Sequence, residues 1–74
     1  MKLKYIRLRK HGFVVFTETM KHTDMASKFP SDEVTSAGFV EYANGKAECY
    51  GESTSLNMKP AENDSSLLTY MSGL

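Results

Sequence analysis

Apolar residues along this chain fall into short runs separated by turn formers. Residues 3 to 8 (Leu-Lys-Tyr-Ile-Arg-Leu) and 13 to 19 (Phe-Val-Val-Phe-Thr-Glu-Thr) are rich in β-branched and aromatic side chains, which suit a pleated, half-buried surface. Between them stands Arg9-Lys10-His11-Gly12, where the glycine can supply the positive φ of a tight turn. The pattern predicts a β-hairpin. Because both faces of its second arm are apolar, that arm is expected to be a covered, interior strand.

Thr23 is placed to cap a short helix running to Phe29, with Asp24 in the first turn and Lys28 in the last, each suited to the helix dipole. Pro30 ends it. Met25 and Phe29, four residues apart, give this helix a narrow apolar stripe to set against a sheet.

The strongest local signal is Asn44-Gly45, the preferred pair for a two-residue type I′ turn. Its arms are 36 to 43 and 46 to 53. With Asn44 and Gly45 as the loop, Ala43 opposes Lys46, Tyr42 opposes Ala47, Val40 opposes Cys49 and Phe39 opposes Tyr50. One face then carries Val40, Tyr42, Ala47 and Cys49. The other carries Phe39 and Tyr50 but also sets Glu41 against Glu48, an unfavourable pair that calls for a neighbouring cation. Lys4, Arg7, Arg9 and Lys46 are the candidates. Residues 53 to 59 fit either a continued strand or a loop, closed by Pro60.

The tail from Asn63 to Gly73 reads as a final helix, capped by Asn63 or Asp64 and stopped by Gly73 at C′, with Leu67, Leu68 and Met71 on its apolar face. The expected fold is α+β: one domain over 1 to 74, a small antiparallel sheet of two hairpins with a short middle helix and a C-terminal helix, in the order ββαββα.

A chain of 74 residues has a small core, and domains of this size gain from a staple or a partner subunit. No intrachain disulfide is available, since Cys49 is the single cysteine. The leading segment lacks the apolar stretch and cleavage site of a secretory signal, and no apolar run reaches bilayer length. A cytoplasmic protein without a membrane partner is the expectation.

The formal charge is zero, but it is unevenly spread. Residues 1 to 28 hold seven Lys or Arg against two acids, and residues 29 to 74 hold two against seven. In so short a chain the two halves are expected to pack together and neutralise each other.

Few residues suggest chemistry. Cys49 with His11 or His22 could form a nucleophile and base, but opposite Val40 it reads as a small core hydrophobe. No metal-ligand spacing, phosphate loop or dinucleotide fingerprint occurs. Gly51-Glu52-Ser53 matches the first half of a nucleophile elbow and lacks its closing glycine, so Gly51 is expected to mark a bulge or a close backbone approach. No cofactor and no catalytic residue is assigned, and the expectation is a non-enzymatic protein. Lys4, Tyr5, Arg7, Arg9 and Lys10 interleave cations with an aromatic ring on the first hairpin, the minimum for contact with a partner or, more weakly, with nucleic acid.

Ser36-Ala37-Gly38-Phe39-Val40, Cys49-Tyr50-Gly51-Glu52-Ser53 and Ser55-Leu56, together with His22-Thr23-Asp24-Met25-Ala26 and Leu67-Leu68, resemble small uncharacterised open reading frames of proteobacteria and their phages. The resemblance implies a stand-alone bacterial or phage product and carries no activity, cofactor or site. It adds His22, Glu52 and Ser53 to the candidate contact residues. The function expected is a small interaction module for a protein partner, with a homodimer through a strand edge or the C-terminal helix as the alternative.

Overall fold

In a computed structural model, which describes residues 2–71, the elements follow the order β1 (Leu3–Leu8), β2 (Gly12–Thr17), α1 (His22–Ala26), β3 (Val34–Ala43), β4 (Lys46–Tyr50) and α2 (Asp64–Met71). The strands form one antiparallel sheet in the spatial order β2-β1-β3-β4. The expected α+β class and ββαββα order hold, and the Gly73 stop signal lies outside the described residues.

The Asn44-Gly45 turn sets the β3–β4 register as expected, with Val40 opposite Cys49 and Glu41 opposite Glu48. Both turn residues have positive φ, 54° and 76°, as type I′ requires. β2, by contrast, is an edge strand rather than an interior one, because β3 pairs with the other side of β1. β3 starts two residues earlier than expected and β4 stops at Tyr50. Local pattern cannot see which strand β1 will share, so strand order was beyond its reach.

Alternation places two apolar layers on opposite faces of the sheet. Tyr5, Val40 and Ala47 pack with Leu68 under α2, joined by the half-buried Leu3, Phe13 and Cys49. On the other face Ile6, Leu8, Phe16 and Ala37 pack with Met25, Ala26 and Phe29 from α1 and the turn after it, and with Leu56 and Met58.

The middle helix is shorter than predicted. It covers His22–Ala26, is preceded by Lys21 at the N-cap without a side-chain capping bond, and passes into single turns through Phe29. Thr23 lies inside it rather than at its cap, since the backbone turns one residue earlier and buries His22.

After β4 the chain leaves the sheet as a closed loop. Ser53 and Met58 exchange both backbone hydrogen bonds (2.7 and 3.1 Å), and Asn57 adopts φ 54° to close the turn. Gly51 marks neither a bulge nor an approaching backbone. Its φ is +70° and a Cβ there would lie 3.0 Å from the Phe39 ring. The chain then returns beside β3, where the Lys59 carbonyl accepts from the Ala37 N–H and Pro60 lies so close over Gly38 that an added Cβ would come within 2.8 Å of its ring.

Candidate functional site

The sheet and α2 are fastened by one buried carboxylate. Asp64, fully buried at the first turn of α2, accepts from the Tyr5 hydroxyl (2.6 Å), the Ser36 hydroxyl (2.6 Å), the Ala61 N–H (2.9 Å) and Arg7 Nη1 (3.1 Å). Burial alone would raise its pKa. Hydrogen bonds from Ser36, Tyr5, Ala61 and Arg7 outweigh that and hold it below the ordinary carboxylate value. Burial, followed by the bond to Asp64, pushes the Tyr5 phenol far above its usual range.

A second carboxylate organises the β1–β2 turn. Asp32 accepts from the N–H groups of Lys10 (3.0 Å), His11 (3.0 Å) and Glu33 (2.8 Å), and from His11 Nδ1 (2.7 Å). Burial opposes its ionisation, but the bonds from His11, Lys10 and Glu33 prevail and depress its pKa. Since an ionised carboxylate only accepts, Nδ1 of His11 carries the proton. The His11 ring also leans on Phe29, with centroids 5.1 Å apart.

These two anchors frame a groove of about 700 Å³ between the turn and α2. Arg7, Arg9 and Lys10 supply its cationic side with the His11 imidazole beside them, and Phe13, Leu67 and Met71 supply an apolar wall. Arg7 is held between Asp64 and the Phe13 ring, whose centroid lies 5.2 Å from its guanidinium carbon. Arg9 reaches Glu33 at 3.5 Å, both well exposed, and Lys10 Nζ donates to the Ser31 carbonyl. The Asp64 and Asp32 side chains are only 0% and 1% exposed. Two of the three carboxylates therefore sit behind the cations, and the groove presents mainly positive charge to solvent.

Sequence reasoning selected Arg7, Arg9 and Lys10, and the structure brings them together here. Tyr5 requires correction, because its ring is fully buried in the core beneath α2 and cannot stack on a base. No local pattern marked Leu67 and Met71 as the wall of a site, nor Asp32 as the turn anchor. Both depend on contacts between elements far apart in the chain.

The remaining candidates meet on the other face. Lys4, His22 and Glu52 line a depression of about 360 Å³ with Lys21, Phe39 and Thr54. His22 is nearly buried, edge-on to both Phe16 and Phe39 (centroids 5.7 Å apart in each case), and its Nε2 donates to the Gly38 carbonyl at 2.9 Å. Desolvation lowers its pKa, and nearby Lys4 adds to the effect against the opposing bond to Gly38. Lys4 Nζ itself donates to the Met20 carbonyl. Ser53 is buried, and its hydroxyl accepts from the Leu56 N–H to shape the loop, so its role is in folding rather than in contact.

The first-strand cations do not attend the Glu41–Glu48 pair. Arg7 and Arg9 form ion pairs with Asp64 and Glu33, and among the described residues no ion pair joins a cation to Glu41 or Glu48. The basic and acidic halves do meet, but at Asp32, Glu33 and Asp64. The Tyr50 phenol has its pKa raised by desolvation and then by the charge of nearby Glu41.

Cys49 packs beneath α2 while His22 lies on the opposite face of the sheet. Burial pushes its thiol pKa up, and its backbone N–H donates to Ser65 Oγ at 2.9 Å. Among the described residues no three His, Cys, Asp or Glu cluster as metal ligands, and no helix is long and apolar enough to cross a membrane. The chain matches no protein family, no curated protein and no solved structure.

Proposed function

We propose that this chain is a small non-enzymatic interaction module that docks an acidic segment of a protein partner in the groove between the β1–β2 turn and α2. One observation carries the reading. Arg7, Arg9, Lys10 and His11 line one side of a groove whose other side is the aliphatic and aromatic wall of Leu67, Met71 and Phe13, with the Asp64 and Asp32 carboxylates buried behind them. Cations of this kind read carboxylates, Arg in a planar fork and Lys as a point charge. Leu67 and Met71 accept an apolar side chain but offer a nucleobase no stacking platform, and the Phe13 ring in the wall is already covered on one face by the Arg7 guanidinium.

The non-enzymatic character is supported by Cys49, whose half-buried thiol is disfavoured as a thiolate and lies across the sheet from His22. A bacterial or phage setting rests on the resemblance alone.

The test uses R9E/K10E, two exposed positions whose exchange spares the core. A glutamate-rich peptide carrying one leucine is titrated into the isotope-labelled chain beside a single-stranded oligonucleotide of equal charge. The expected result is saturable peptide binding with NMR shifts at Arg9, Lys10, Leu67 and Met71, lost in the variant. Equal binding by the variant, or preference for the oligonucleotide, overturns the reading.

A further inference from the structure

His22 is only 4% exposed, yet one of its two ring nitrogens has no work inside the protein. A carbonyl oxygen only accepts, so Nε2, bonded to the Gly38 carbonyl at 2.9 Å, carries the ring proton. Burial, with the nearby Lys4 charge adding to it, keeps the ring neutral at and above neutral pH. Nδ1 is then a lone-pair acceptor. Among the described residues no hydrogen bond reaches Nδ1, and no buried side-chain nitrogen or oxygen is left without a partner. Nδ1 is therefore open to the depression that His22 lines.

Cations stand around this acceptor. The half-buried Lys4 donates one N–H to the Met20 carbonyl and keeps two free. Lys21, the residue before His22, is exposed. Both line the depression, and among the described residues neither forms an ion pair. Thr54 and Ser55 add hydroxyls from the loop after β4, and the exposed Glu52 adds a second group that only accepts. These are side-chain groups throughout, and the backbone of the five-residue α1 is not needed. Lysines attract any small anion, whereas Nδ1 and Glu52 oppose one whose oxygens carry no proton. The combination suits an oxyanion that brings its own hydroxyl.

We propose that this depression binds the hydrogenphosphate ion, its charge held by Lys4 and Lys21 and its P–OH donated to His22 Nδ1. Sulfate has the same shape and charge but no proton to give. A phosphate monoester dianion carries carbon on the oxygen that would donate. Either would set a lone pair against the lone pair of a nearly buried acceptor, which corresponds to a loss of at least about tenfold in affinity. Lys4 and His22 lie on the face of the sheet that carries Ile6 and Phe16, away from α2, so this site is separate from the docking groove.

The test is titration of the isotope-labelled full chain with inorganic phosphate, sulfate and methyl phosphate, in slightly alkaline buffer at fixed ionic strength. The expected result is saturable binding of phosphate, with the nitrogen resonance of His22 Nδ1 moving upfield as an acceptor does on gaining a hydrogen bond, while Nε2 keeps its proton. Sulfate and methyl phosphate should bind at least tenfold more weakly. Lys21→Gln, a change at an exposed position whose fold circular dichroism checks, should weaken phosphate binding at least fivefold. Equal binding of the three anions, phosphate binding without a shift at Nδ1, failure to saturate, or an unaltered affinity in Lys21→Gln overturns the proposal. Lys21→Gln leaves the cationic groove unaltered, so phosphate binding and the docking of an acidic partner fail or succeed separately.

Discussion

Arg7 Nη1 and Asp64 Oδ1, fifty-seven residues apart in sequence, lie 3.1 Å from each other, and this pair joins the first strand to the last helix. Around it Tyr5 and Ser36 complete the carboxylate's hydrogen bonds, so β1, β3 and α2 share a single buried charge. Such a charge is tolerable because both oxygens are met, Oδ2 by Tyr5, Ser36 and Ala61 and Oδ1 by Arg7, and removing it leaves these donors stranded.

Asp64→Ala is therefore expected to cost about 3–5 kcal/mol, which is enough to unfold a domain of this size. Tyr5→Phe removes one bond to a charged group and should cost about 1.5–3 kcal/mol. Urea denaturation of the two variants checks the order, with Asp64→Ala the more damaging.

Stability should also fall in acid. Because the Asp64 pKa is lower in the folded chain than in the unfolded one, its contribution is complete above the unfolded value of about 3.9 and is lost as pH falls through the folded value. The gap in urea midpoint between wild type and Asp64→Asn should narrow from neutral pH to pH values below that range.

A milder acid effect should begin earlier, at His22. Its pKa is depressed by burial, so the unfolded chain takes up a proton near pH 6.5 before the folded chain does. Wild type should lose stability as pH drops from that point, and His22→Gln should lose the step while keeping the carboxylate transition at lower pH.

The hydroxyls of Ser65 and Thr69 should govern the β4 edge. Replacing both with alanine leaves the Ala47 and Cys49 N–H groups without their acceptors, at roughly 1 kcal/mol each. Faster hydrogen exchange at those two amides, and new self-association through β4, are the expected readouts.

Gly38→Ala should be severely destabilising although φ there is not positive. Its Cβ would stand 2.8 Å from both the Pro60 ring and the Tyr50 carbonyl oxygen, and overpacking of this kind costs about 1–3 kcal/mol. Adding Pro60→Ala should recover only part of the loss, because the Tyr50 backbone remains, and thermal unfolding of the three variants would show it.

Some of this architecture was written locally. Asn44-Gly45 specified a turn with two positive φ angles and hence every pairing from Phe39–Tyr50 to Ala43–Lys46. Alternation within each strand set Tyr5 and Ile6, and likewise Val40 and Ala37, on opposite faces, while the β1–β3 register decided that Tyr5 shares a face with Val40 and Ile6 with Ala37. Arg7, Arg9 and Lys10 were visible as a cationic cluster because they lie within four residues of one another around a turn.

Tertiary structure decided what local pattern has no means to encode. Whether β1 or β2 would take β3 as its neighbour depends on which pairing buries more surface, a property of the assembled sheet, so β2 became an edge despite its interior composition. Asp64 and Asp32 look like ordinary cap and turn residues until folding carries Tyr5, Ser36 and the backbone of Lys10 and His11 to them. The periodicity of a strand or helix reports its own burial, whereas the partners of a buried charge come from whichever segments the rest of the chain brings alongside.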